Sequence, residues 1–465
     1  MLLIFVILYL SLTLLIGWWA SKQVKSTQDF VIAGRRLPMI VAASALFATW
    51  FGSETVMGAS SEFVSHGLIG VIEDPFGAAL CLFLVGVFFA RPLYRMNILT
   101  FSDYFHIRFS RAAELTSAIF MIPSYFGWIA AQLVAMSIIL QVITLIPFHT
   151  SLLICTLVVM LYTYIGGMWA VSITDFVQTL IILIGLLYFA IVMLIQVGGW
   201  TPILAQTPPG FFRFLPKANA MDITHYIAAW ITIGLGSIPQ QDVFQRVMAA
   251  KSEKTAIRAA YLSSLMYLCI AFLPLIIALC GKVLYPELLR KDPQMLLPQL
   301  VLLHGGLALQ IMFFGALLSA IMSTASGAIL APATILGENI IRPQFPKITD
   351  DQLLHVMRLS VVLVACISAF LSLLKSNIYE LVGQSSALSL VSLFVPLTAG
   401  LWWKKASNIG AMASMILGML VWLYCEFQAF EIPSLIYGLS ASIAAMLLGS
   451  LVFPDKKPTD TPRLQ

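Results

Sequence analysis

Charge is what this 465-residue sequence has least of: Asp, Glu, Lys and Arg together make up 10% of it, against about 25% in soluble domains. That scarcity excludes a sizeable soluble domain. The small basic excess, a net charge of +5, comes without a basic patch interleaved with aromatics, which excludes a nucleic-acid partner. The six cysteines (Cys81, Cys155, Cys269, Cys280, Cys366 and Cys425) lie singly in apolar stretches, never at the C-x-x-C spacing of metal or redox sites, and read as packing residues. His66, His106, His149, His225, His304 and His355 are scattered. With no H-E-x-x-H pattern or serine elbow either, the chain is not expected to be an enzyme. The Asp350-Asp351 pair reads as a helix start rather than a metal site.

What the sequence has in abundance is apolar surface, 60% of residues with a mean hydropathy of +0.95. A bilayer core of ~30 Å takes about 20 helical residues to cross. Apolar runs bounded by charged or turn-rich segments give thirteen expected spans: 2 to 20, 38 to 64, 69 to 93, 114 to 141, 150 to 166, 171 to 197, 222 to 246, 257 to 281, 300 to 335, 353 to 375, 378 to 403, 407 to 427 and 433 to 453. Lipid leaves backbone groups unsatisfied in anything but helices or closed barrels, and the barrel's alternation is absent, so the expected class is all-α integral membrane. The first run has Lys22 and Lys25 behind it and no positive residue ahead, the reverse of a secretory signal, and reads as a retained span. Placing the N-terminus outside and the C-terminus in the cytoplasm puts 20 of the 26 Lys and Arg residues on the cytoplasmic side of the cell membrane.

Two spans carry a polar, small-residue break near mid-membrane: Trp50-Phe51-Gly52-Ser53-Glu54 in the second, and Gly234 to Gln241, which includes Gly236-Ser237-Ile238-Pro239, in the seventh. Either alone would pass as ordinary membrane Gly and Pro. Matched breaks five spans apart point instead to a secondary transporter, where unwound backbone lines a cavity. The whole chain, 1 to 465, then reads as one transporter domain. Inverted five-helix repeats occupy 38 to 197 and 222 to 403, with the helix 2 to 20 before them and two helices at 407 to 453 after them.

Tyr162-Thr163-Tyr164-Ile165-Gly166-Gly167-Met168-Trp169-Ala170 followed by Thr174-Asp175-Phe176-Val177-Gln178 resembles the signature of the sodium/solute symporter family. Phe244-Gln245-Arg246-Val247-Met248-Ala249-Ala250-Lys251 and Leu318-Ser319-Ala320-Ile321-Met322-Ser323-Thr324 resemble two further family stretches, in the family's order. The high-affinity choline transporter subgroup is nearest in motif, through Ala48-Thr49-Trp50, Gly236-Ser237-Ile238-Pro239, Phe244-Gln245-Arg246 and Val356-Met357-Arg358. The resemblance implies a LeuT-type five-plus-five fold and Na+-coupled symport of a small organic solute. It also implies two aromatic positions around a quaternary ammonium, held here by Trp50 and Trp128, while Gln240 stands at a third.

Sodium is a hard cation that takes several oxygen ligands. Ser323 and Thr324 offer hydroxyls, and the family pattern adds the backbone carbonyls of Ala48, Phe51 and Ala320. The commoner job of membrane Ser and Thr is to bond back to their own helix or to join neighbours. Asp175 resembles an acid on the family's inward ion path, with a helix-start role as the alternative. The expected solute walls are Trp50, Gly52, Ser53, Trp128, Gln132, Ser237, Gln240 and Gln241, which suit a quaternary ammonium, a zwitterion or an amino acid. Glu54 is a candidate charge contact because acids within the membrane are costly and usually functional; Glu73 and Asp74 are weaker ones. The rival reading is a transporter-shaped solute sensor. The short stretch after 453 leaves no room for an output module, so a sensor would need a separate signalling partner. Beyond solute and lipid no partner is expected, and the oligomeric state is open.

Overall fold

The structure is a computed structural model that describes residues 24–455 except 291 and 429, with scattered positions between 4 and 22. Most of the expected span 2 to 20, and with it Lys456, Lys457 and Arg463, lies outside the described residues. Among the described residues there is no named strand, and nine helices are long and apolar enough to cross a membrane. They are Leu68–Arg95, Arg111–Thr144, Gly167–Val197, Glu253–Leu284, Leu307–Gln344, Asp350–Leu374, Ile378–Trp402, Asn408–Gln428 and Ser434–Val452.

The two expected breaks are present. Met39–Phe47 ends in a turn over residues 48–52, and the chain resumes through a π-helical turn, Glu54–Ala59, into Ser60–His66. Ala220–Gly236 likewise gives way to a turn at 237–240 before Gln241–Ala249. Pro239 supplies no N–H and would clash with a preceding helical carbonyl, which stops the helix there. Gly236 is required by packing: a Cβ on it would lie 2.4 Å from the Ser386 carbonyl oxygen.

Elsewhere the expected boundaries change. Spans 150 to 166 and 171 to 197 are joined by a sharp bend at Gly167, whose φ of 55° favours glycine and where a Cβ would meet the Phe30 ring at 2.4 Å. The span 300 to 335 divides into Leu296–His304 and Leu307–Gln344, because Gly305-Gly306 interrupts the helix. A further interruption falls at Asp74 (φ −142°, ψ 118°), where the following Pro75 disfavours helical backbone.

The segment Leu307–Ile335 runs through the middle of the molecule, packed against Arg111–Thr144 and Phe148–Val197, and it is buried almost throughout. Two arginines expected as loop charges are also buried. Arg108 donates from Nε to the Gly400 carbonyl (2.8 Å) and from Nη2 to that of Ala406 (3.1 Å), while Arg246 has a side chain only 1% exposed. A pair of backbone hydrogen bonds, Leu37 N–H to Ala249 O (3.0 Å) and Lys251 N–H to Leu37 O (2.9 Å), joins the lead-in of the first broken helix to the end of the second. The Tyr94 hydroxyl donates to the Ala250 carbonyl beside it (2.8 Å).

Candidate functional site

The first break unwinds against the central helix. Thr324 sits with its hydroxyl 2.9 Å from the Ala48 carbonyl oxygen and 3.0 Å from that of Ala320 on its own helix. This hydroxyl back-bonds to its own helix and joins that helix to the broken one, between two of the carbonyls expected around Na+. Gly52 faces the same place, since a Cβ there would stand 3.3 Å from Thr324 Oγ1 and 3.5 Å from Gln132 Oε1. Phe51 precedes Gly52 on that turn, and its ring stacks on Phe47 at a centroid distance of 4.5 Å. Two carbonyls, the Thr324 hydroxyl and a residue without a side chain form an oxygen-rich, closely approachable corner, oxygen being the donor a hard cation takes.

Ser323, the second hydroxyl, donates to Asp175 Oδ1. Asp175 is buried eight residues past the Gly167 bend, well inside its helix rather than in a first turn. Its other oxygen lies 3.9 Å from Arg246 Nη2. The same guanidinium approaches Asp242 Oδ2 at 3.9 Å, and Asp242 Oδ1 accepts from the Tyr125 hydroxyl at 2.7 Å. Tyr125 stacks on Trp128, with centroids 5.9 Å apart and planes at 29°. A continuous chain of polar contacts thus runs from the hydroxyl pair to one of the two expected aromatic walls, and Gly327 makes room for it, a Cβ there falling 2.5 Å from Arg246 Nη2.

Trp50, the other aromatic wall, meets the Tyr267 ring edge-on at 6.4 Å. The Tyr267 hydroxyl donates to Asp74 Oδ1 (2.6 Å) and lies 2.5 Å from Thr55 Oγ1. Glu54, between Ser53 and Thr55, is fully buried, and neither of its carboxylate oxygens has a hydrogen-bond partner. Ser53 Oγ, Gln132 Oε1 and Nε2, Gln240 Oε1 and Trp128 Nε1 are likewise buried without partners. Ser237 shares a hydroxyl contact with Ser386 at 3.1 Å.

Gln241 differs from its companions. Its Oε1 accepts from Phe101 N–H (2.7 Å) and its Nε2 donates to the Leu99 carbonyl (3.3 Å), so both ends hold the 99–101 segment instead of facing a solute. The residues that sequence reasoning missed are Tyr125, Asp242, Arg246 and Tyr267. Asp242 and Arg246, four apart on a short polar helix directly after a break, were the available signal; the two tyrosines sat unmarked in long apolar runs.

Residues 30–418 match the sequence profile of the Sodium:solute symporter family. The chain belongs to that family. Membership makes it a multi-pass membrane transporter rather than an enzyme, with Na+ as the coupling ion. It is similar to the high affinity choline transporter 1 of Homo sapiens, 27% identical over 448 residues, covering 90% of this chain and 76% of that protein. It is equally similar to the high-affinity proline transporter PutP of Bacillus subtilis, 28% identical over 468 residues, covering 96% and 98% of the two chains. Among solved structures, a Na+-coupled sialic acid symporter in a substrate-bound outward-open state superposes with a TM-score of 0.82 at 20% identity, over 98% of this chain and 99% of that one. The symporter shares the fold of that structure.

Proposed function

We propose that this symporter accumulates a small organic solute in the cell by alternating access, with Na+ held by Ala48, Phe51, Ala320, Ser323 and Thr324 and the solute beside it between the two broken helices. On this reading Asp175 lies on the inward ion path, and Trp50, Gly52, Ser53, Trp128, Gln132, Ser237 and Gln240 face the solute. On the same reading thirteen spans, with inverted repeats at 38–197 and 222–403, put the termini on opposite faces, and the bias of Lys and Arg sets the N-terminus outside and the C-terminus in the cytoplasm. The relatives' solutes, choline, proline and sialic acid, mark the class as small and polar without naming the member.

The observation that carries the reading is the meeting of Thr324 with the Ala48 carbonyl and the bare backbone of Gly52. A cation there bridges the central helix and the first break, so ion binding fixes the geometry of the turn whose next residues, Trp50 to Ser53, wall the solute. One Na+ moving down ~100 mV releases about 2.3 kcal/mol, enough to concentrate a neutral solute roughly 50-fold before the chemical gradient is added.

Counterflow in proteoliposomes tests the proposal. Na+-dependent exchange is expected in the native protein and its loss in Ser323→Ala/Thr324→Ala; exchange with unchanged sodium dependence in that double variant overturns the ion assignment.

A further inference from the structure

Glu54 and Asp74 are both completely buried, yet three of their four carboxylate oxygens have no hydrogen-bond partner; the fourth, Asp74 Oδ1, accepts from Tyr267. The Thr55–Tyr267–Asp74 chain ties Asp74 to the turn that carries Glu54, and Glu54 lies within electrostatic reach of Asp74, Glu73 and Asp242. The neighbouring basic groups are engaged elsewhere: Arg246 with Asp175 and Asp242, Lys282 with the Val64 carbonyl and the Phe211 ring, Lys375 with Glu380. Buried carboxylates are ordinarily paired with a cation or saturated with donors.

We propose that the solute is an organic cation bearing N–H donors, a protonated amine or a guanidinium, and that Glu54 and Asp74 receive those donors. The proposal rests on the symport reading above and narrows its substrate class. Gln132 Oε1 and Gln240 Oε1, also buried without partners, add neutral acceptors to the same need. A quaternary ammonium has no N–H to offer and is recognised by open aromatic faces. Here Trp128 is stacked on Tyr125, Trp50 is met edge-on by Tyr267, and Gln240 offers an amide in place of a ring.

The residue before Asp74 opens onto a cavity rich in carboxylates. A cavity of about 430 Å³ is lined by Glu62, Glu73, Glu380 and Glu426, with Tyr379 and Trp422, and by no Lys or Arg among the described residues. Glu73 adjoins Asp74 in the chain. Lys375 pairs with Glu380 and His66 bonds to Glu62, which leaves Glu73 and Glu426 as the carboxylates of this cleft that would favour the arrival of cations.

The test is thermal unfolding of the purified full-length protein, with and without Na+, against ethanolamine, putrescine and agmatine, and against choline, glycine betaine and proline. Ethanolamine and choline form a matched pair that differs in the N–H donors. In Na+, at least one of the first three raises the unfolding midpoint, with ethanolamine more effective than choline. Glu54→Gln and Asp74→Asn each weaken half-saturation by about 10- to 100-fold, the range expected for losing a hydrogen bond to a charged group. Both variants keep the shift produced by Na+ alone, which verifies their folding, and Glu54→Asp retains part of the amine response. Should either neutral variant fail to fold, the matched pair on the native protein still decides. Stabilisation by choline, betaine or proline alone, an amine response undiminished in the variants, or no response to any of the six overturns the proposal. Absence of a Na+ shift in the native protein would instead overturn the ion assignment, leaving the amine comparison to be judged on its own.

Discussion

Arg246 is the side chain whose removal the structure judges most severely. Its guanidinium, 1% exposed, stands 3.9 Å from a carboxylate oxygen of Asp175 and 3.9 Å from one of Asp242. At an effective dielectric constant of about 20, each such pair attracts by about 4 kcal/mol, part of which offsets the cost of taking the charges out of water. Arg246→Met keeps an unbranched apolar stem and leaves two buried carboxylates without the cation they share. Breaking a buried pair in this way costs about 3–5 kcal/mol. The unfolding midpoint of the purified protein, followed by intrinsic fluorescence, is expected to fall by several degrees. Adding Asp242→Asn should recover part of the loss, because it removes one of the uncompensated charges while its amide oxygen still accepts from Tyr125. If Arg246→Met unfolds at the native temperature, or if Asp242→Asn lowers the midpoint further, the three groups do not form the electrostatic unit described here.

Three other perturbations separate close packing, ion binding and hydrogen bonding. Gly236→Ala drives a methyl to 2.4 Å from the Ser386 carbonyl oxygen and should abolish solute exchange, whereas Gly234→Ala meets the flexible tip of Leu80 at 3.3 Å and the Gly77 carbonyl at an ordinary 3.5 Å and should cost no more than about 1 kcal/mol; equal stability and exchange in the two would show that the second break tolerates displacement. Thr324→Val preserves side-chain shape and removes the hydroxyl, so the stabilisation by Na+ measured in thermal melts should shrink while stability without Na+ changes by no more than about 1–2 kcal/mol; an undiminished Na+ response excludes Thr324 from the ion's ligands. Tyr267→Phe deprives Asp74 and Thr55 of their shared partner and is expected to lower stability by about 1–3 kcal/mol, a loss that chemical denaturation would detect and that no change in the midpoint would contradict.

Much of the architecture could be read from residue order because lipid enforces a simple rule. A stretch of about 20 apolar residues must be helical, and Gly-Ser-Ile-Pro at 236–239 or Trp-Phe-Gly-Ser at 50–53 stands out against such a background. The hydroxyls of Ser323 and Thr324 were legible for the same reason, through a motif whose order the chain preserves. Most of what escaped was decided across sequence separations of about seventy residues or more. Tyr267 and Tyr125 look like ordinary aromatics in apolar runs until folding sets them against Asp74 and Asp242. Arg246 resembled a loop charge because it ends an apolar stretch, while the fold turns it inward toward Asp175. Gln241 had the right chemistry and neighbourhood for a solute contact, but the backbone of 99–101 claims both its ends. The bend at Gly167 and the interruption at Gly305-Gly306 were hidden because glycine within an apolar run leaves hydropathy nearly unchanged.

The bridge between Leu37 and the Ala249–Lys251 segment is built wholly of main-chain groups. Side-chain replacement along those residues leaves the donors and acceptors in place, provided proline is not introduced at Leu37 or Lys251. The ends of the two interrupted helices that lie away from their breaks are therefore yoked by a fastening that sequence drift can hardly loosen. A shift of the first would reach the second without any charged or bulky residue having to relay it.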